Sequence, residues 1–220
     1  MQKIIIRNHG PIKKCELEIK DFIICTGPQA SGKSTIAKSV FFFKNLKNIL
    51  FDQIRKDYFF ANNAEKELKM HVGAKFIREI RANFLRIFGT TWHMDKNLYL
   101  EYQYSAGMNV RIALRQGEDS PNYIWIDFSA GLKGVLDELN AMISSSEIAQ
   151  EGVLSEIRAK IEACFGDGKE VVYIPAGRSM ITLLSNQLNY IYSWMDDAQK
   201  RTLDYCTQNY LERILQLKTS

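Results

Sequence analysis

The stretch "FIICTGPQASGKSTIAKSVFFF", from Phe22 to Phe43, constrains this chain more than any other. It opens on five residues without a polar face, as a buried strand would. It then turns through a loop with glycines at positions 27 and 32, and continues with Ile36, Ala37, Val40, Phe41, Phe43 and Leu46 near helical spacing. Strand, glycine loop and helix follow one another directly. The pattern predicts a helix from Ser34 to about Leu50.

The loop "GPQASGKS" matches G-x-x-x-x-G-K-[ST] from Gly27 to Ser34. Its glycines allow the backbone to fold back, so that the N–H groups from Ala30 to Thr35 point inward around phosphate oxygens. The positive end of the following helix reinforces them. Lys33 then reaches the β and γ phosphates of a nucleotide as a mobile charge, and the Ser34 hydroxyl is the candidate ligand for Mg²⁺. The candidate binding set is Gly27, Pro28, Gln29, Ala30, Ser31, Gly32, Lys33, Ser34 and Thr35. The competing reading is a Gly/Ser-rich turn that happens to precede a helix.

Around this motif, "KIIIRN" and "KCELEIK" read as two strands joined by the turn-prone "HGPI", with Cys15, Leu17 and Ile19 alternating against charged residues. "EKELKMHVGAKFIREIRANFLRIFG" spaces Leu68, Val72, Phe76, Ile80, Phe84 and Phe88 four apart, a helix ending at Gly89. Three β-rich runs between Asn97 and Ser129 predict an antiparallel meander. Helices follow in "LKGVLDELNAMI" and "LSEIRAKIEACFG", then a short strand in "KEVVYIPAGRS". Two last helices run from Ser179 to about Met195 and from Asp196 to about Leu217, the second opened by Asp196 with Gln199 as a capping box. No linker divides the 220 residues, so one domain is expected.

The four cysteines form no C-x-x-C pair and the three histidines have no shared metal spacing, which argues against a structural zinc site or a disulfide framework. "MQKIIIRNHG" lacks the apolar core of a signal peptide, and no run approaches a membrane span. A reduced, cytoplasmic protein is expected. The surplus of 29 Lys+Arg over 25 Asp+Glu permits a polyanionic partner without requiring one.

From "IIIRNHGPIKKCELEIKDFIICTGPQASGKSTIAKSVFF" the chain resembles the start of ABC-type P-loop ATPases of the SMC/RecF/OLD-like group, often labelled AAA-family ATPases. In that group a strand pair with a G-P-I turn precedes the P-loop and an antiparallel β subdomain follows it. The resemblance implies an α/β P-loop NTPase core, ABC-ATPase-like, with an antiparallel β subdomain near 97–129 and C-terminal helices. It also implies ATP and Mg²⁺ as cofactors, a second ATPase head as partner, no membrane association, and DNA as a possible partner in DNA repair or phage defence. "VVYIPAGRS" is similar to the junction that carries the Q-loop in such proteins. Ala176, Gly177 and Arg178 stand there with no Gln, so Arg178 is a candidate for approaching the γ-phosphate or a facing subunit. Its alternative is a structural salt bridge at a helix start.

Hydrolysis in that group also needs a Walker B Asp-Glu, an S-G-G-type signature and a switch His. "YIWIDFSAG" ends an apolar run in Asp127, but Phe128 follows where Glu is required, and "FSAGLKG" echoes the signature only distantly. The chain therefore resembles the N-terminal half of a head, incomplete on its C-terminal side. Three functions stay open: an ATPase completed by another half or chain, a nucleotide-binding subunit that does not hydrolyse, and a P-loop nucleotide kinase. Arg78, Arg81 and Arg86 share one helix and could follow a phosphate backbone if they cluster with Lys13, Lys14 or Lys75. The alternative is a solvated face above buried Phe76, Ile80 and Phe84. Tyr190, Tyr192 and Trp194 read as core or interface.

Overall fold

Period-two alternation builds the sheet. In β1 (Gln2–His9), Ile4 and Ile6 are fully buried while Arg7 is exposed. The same alternation recurs in β3 (Tyr99–Ser105), β4 (Met108–Arg115) and β5 (Tyr123–Phe128), which bury Leu100, Tyr102, Val110, Ile112, Ile124 and Ile126. With β2 (Ile12–Ile19) they form one five-stranded antiparallel sheet in the order β2-β1-β3-β4-β5. Its register sets Ile6 opposite Leu100, Leu100 opposite Ile112, and Ile112 opposite Ile126, a continuous apolar row. The computed structural model describes residues 1–60, 71–115, 123–145, 152–176, 190, 194–196 and 204–219.

Five helices occur among the described residues: α1 (Lys33–Phe60), α2 (Val72–Phe88), α3 (Ala130–Ser145), α4 (Val153–Phe165) and α5 (Tyr205–Thr219). They cover the apolar face of the sheet. Phe42, Phe43, Leu46, Leu50 and Ile54 of α1 meet Phe76, Ile80 and Phe84 of α2 in a core rich in aromatic contacts, including Phe42 against Phe84 at 5.7 Å and Phe43 stacked on Tyr102 at 5.5 Å. The Tyr104 hydroxyl, buried there, donates to the Phe43 carbonyl at 2.7 Å.

Several expectations change. Phe22–Thr26 has no regular secondary structure and is not a strand, and Phe22 and Ile24 are 79% and 71% exposed. A strand needs a neighbour to complete its ladder, and no parallel pair exists among the described residues. Val171–Pro175 is likewise outside any sheet, with Val172 and Ile174 exposed. Helix α1 runs ten residues beyond Leu50. Its charges Asp52, Arg55 and Lys56 face outward while Ile54 extends the buried stripe by one turn. The meander and the N-terminal strand pair, two features in sequence, share one sheet through the β1–β3 ladder. Arg178, most of the helix from Ser179, the cap partner Gln199, Leu68 and Tyr192 lie outside the described residues.

Candidate functional site

The loop before α1 is shaped by backbone conformations that suit glycine. Gly27 and Gly32 have φ of 145° and 95°, and Ala30 also sits in the left-handed region at 60°. Gly32 is required twice over, because a Cβ there would lie 2.7 Å from Ile12 Cγ1 and 3.2 Å from Pro11 Cγ. The β1–β2 turn thus presses directly on the loop. The Ile36 amide bonds the Gly32 carbonyl at 2.9 Å, so the amides just before it are left without helical acceptors at the positive end of a 28-residue helix. No acidic residue stands in the first turn to neutralise it.

The Lys33 ammonium folds back over the loop. It donates to the carbonyls of Gly27 at 2.7 Å and Pro28 at 2.6 Å, and lies 3.3 Å from Ser31 Oγ. Beside it is an open bowl of about 420 Å³ lined by Pro11 and by every residue from Ala30 to Thr35. The structure thus brings these residues together around one concavity, while Gly27 and Pro28 contribute carbonyls to the lysine. Gln29 is exposed on the rim, and Ser34 is exposed with its hydroxyl at the helix start. A bowl of amides with a mobile ammonium fits a polyphosphate. For Mg²⁺ the chain offers the Ser34 hydroxyl, and no cluster of three or more metal-ligating side chains occurs among the described residues.

A second cavity, of about 840 Å³, lies alongside, between Ile23 and Cys25 on one flank and Val171 to Ile174 on the other, with Lys33, Ala37, Val40 and Phe41 of α1 among its lining residues. Three lysines of α1 position its walls. Lys47, only 4% exposed, donates to the carbonyls of Asp167 and Lys169, both at 2.5 Å. Lys44 pairs with the Asp167 carboxylate at 3.2 Å and Lys38 with Asp204 at 2.8 Å. Burial alone would raise the Asp167 carboxyl, but the Lys169 amide and the two lysines outweigh it and hold the acid below its usual range. Burial pushes Lys47 down, against the raising pull of Asp167.

Sequence reasoning missed this lysine face, and also the pressure of Pro11 and Ile12 on Gly32, because both are contacts between distant segments. The one sequence signal was Gly166 with Asp167 and Gly168 after α4, a helix stop followed by a turn; Gly166 is the left-handed cap. Asp127 lies on β5, at the opposite edge of the sheet from β2, and pairs with Lys133 at 3.0 Å, as an ordinary strand residue. Ser129 caps α3, its hydroxyl accepting from the Leu132 amide at 3.4 Å and the Asn109 amide at 3.0 Å. Of the α2 arginines, Arg78 and Arg86 line one cavity of about 470 Å³ with Lys75, among the carboxylates of Asp52, Asp57 and Glu79, while Arg81 turns away from it. That lysine is buried against Asp57 at 3.0 Å, Arg81 bonds the Ile124 carbonyl at 2.9 Å, and the Arg86 guanidinium lies 4.3 Å from the centre of the Tyr205 ring. Tyr190 and Trp194 are 66% and 73% exposed, with ring centres 5.4 Å apart, so they are not core.

A glycine loop closing on a helix N-terminus, with its lysine folded over the loop carbonyls, is the arrangement of a P-loop nucleotide-binding protein. The chain belongs to the AAA ATPase domain family, whose model matches residues 1–200. This is an AAA-family, ABC-like P-loop ATPase N-terminal region, and the family implies ATP binding and hydrolysis at the general level. No curated protein and no solved structure matches the chain. Among the described residues no helix is long and apolar enough to cross a membrane.

Proposed function

We propose that this chain is an ATP-binding head of the ABC type, whose hydrolysis requires signature and Walker B motifs supplied by a second half or a partner chain. The observation that carries the nucleotide reading is the bowl from Ala30 to Thr35 with the Lys33 ammonium poised on three loop oxygens. On nucleotide binding, Lys33 leaves the Gly27 and Pro28 carbonyls for phosphate oxygens, and the loop amides hold the remaining charge. The Ser34 hydroxyl would hold Mg²⁺ there, and the ion would supply neutralisation of phosphate charge.

The requirement for completion is supported by the large cavity beside the loop. Ile23 and Cys25 on one segment and Val171 to Ile174 on the other face it, and neither Phe22–Thr26 nor Val171–Pro175 makes a backbone–backbone hydrogen bond with other described residues. Such backbone is stable when another strand pairs with it. A non-hydrolysing nucleotide-binding subunit is the second reading, favoured by the engagement of Asp127 with Lys133 and Arg111 rather than with the loop.

Binding of a fluorescent ATP analogue to the purified chain, together with phosphate release, tests both parts. Saturable binding lost in Lys33→Ala is expected, with no turnover by the chain alone. Equal binding by Lys33→Ala and the unaltered chain would overturn the nucleotide reading, and Lys33-dependent turnover by the chain alone would overturn the need for completion.

A further inference from the structure

The sheet face turned away from the helices carries an ordered array of cations on aromatic rings. The Arg7 guanidinium lies 5.5 Å from the Tyr99 ring centre and Arg115 lies 3.8 Å from Trp125, while Arg81, which belongs to α2 and bonds the Ile124 carbonyl, meets Tyr123 at the β5 edge at 4.4 Å. Register explains the alignment. Lys14 faces Arg7, Arg7 faces Tyr99, Tyr99 faces Ala113, and Ala113 faces Trp125, so one row crosses all five strands. At the usual strand separation the row is roughly 19 Å long. Trp125 and Tyr123 remain 40% and 42% exposed in spite of their arginines.

Charge on this face is sorted. The carboxylates of the neighbouring row are engaged: Glu16 pairs with Lys3, Glu101 with Arg111 at 3.2 Å, and Asp127 with Lys133 at 3.0 Å. Glu18 lies two rows from Arg7, opposite Lys3. Arg7, Lys14 and Arg115 form no ion pair within 4 Å among the described residues, although Glu16, held by Lys3, also feels the charges of Lys14 and Arg7. A guanidinium over a ring can keep an N–H edge available for a phosphate, and an exposed ring or guanidinium plane can stack on a base. A duplex offers only phosphates to such a surface, whereas a single strand offers phosphates and unstacked base faces together.

The geometry points to a single-stranded nucleic acid lying across the open sheet face, with bases stacked at the Tyr99–Arg7 and Trp125–Arg115 pairs and phosphates held by Lys14, Arg7 and Arg115. This surface is separate from the phosphate loop and needs no nucleotide.

The test is fluorescence anisotropy with labelled DNA and RNA single strands of about 16 nucleotides and a duplex of the same length, without nucleotide present. Single strands are expected to bind more tightly than the duplex, with a log–log salt slope of about −2 for three phosphate contacts. Preference for DNA or RNA then assigns the polymer. Trp125→Ala is expected to weaken binding about tenfold or more, while Trp125→Phe, which retains a ring, keeps most of it. Arg115→Lys keeps the charge and loses the planar stack, so it is expected to weaken binding several-fold. All three variants should keep the melting temperature and the ATP-analogue affinity of the unaltered chain. Duplex binding as tight as single-strand binding would overturn the proposal. So would equal competition by polyglutamate, or unchanged affinity in folded Trp125→Ala and Arg115→Lys.

Discussion

His9 is 4% exposed, packs edge-on against Phe88 at 4.6 Å, and has no hydrogen-bond partner for either ring nitrogen among the described residues. Burial pulls its pKa from 6.5 down to about 4. Above pH 6.5 the ring is neutral in both folded and unfolded chains, so it contributes no pH dependence. As pH falls from 6.5 toward 4 the unfolded chain takes up the proton first, and stability drops by up to about 3 kcal/mol. Denaturant melts across that window should show the loss, and His9→Gln should flatten it. Gly32 is the other residue whose identity is set by space. Gly32→Ala must displace Ile12 or the loop and must also hold φ near 95°, so a cost of about 1–3 kcal/mol is expected, with weaker ATP-analogue binding than in the unaltered chain. The motif was legible from eight residues. The reason its second glycine tolerates no side chain was not, because Pro11 and Ile12 reach it only in three dimensions.

At the scale of elements, α1 has two functions. Its first turn closes the phosphate loop, and its lysines Lys38, Lys44 and Lys47 tie the segments after α4 and before α5 to the same helix. Lys47 is the central tie. Lys47→Met leaves the carbonyls of Asp167 and Lys169 without their donor, and a loss of about 1–3 kcal/mol is expected, read by thermal melting. Because the tie sets the Val171–Ile174 wall, the same variant should also show faster amide exchange from Gly168 to Ile174 than the unaltered chain. The helical periods of α2, α3 and α4 were readable in sequence, since each is an apolar stripe on one face. Phe22–Thr26 was not readable as a loop. Its composition is that of a strand, and only the lack of a pairing neighbour among the described residues leaves it outside the sheet and exposed.

For the molecule as a whole, ligand binding and folding are linked. At an ATP concentration about 100 times the dissociation constant, stabilisation of about 2.7 kcal/mol is expected, a rise in melting temperature of about 5–11 °C for a chain of this size, absent in Lys33→Ala. Thermal shift with and without ATP checks it. The sequence by itself determined the phosphate loop, the helix that follows and the alternating strands, because spacing along the chain specifies backbone conformation and which face is apolar. Only the tertiary structure decided that the N-terminal strand pair and the later meander form one sheet. It alone set the lysine face of α1 against the turn after α4, and aligned arginines with aromatic rings across four strands. Those are pairings between segments up to 122 residues apart, as with Lys47 and Lys169, and local pattern carries no record of which partner a face will meet.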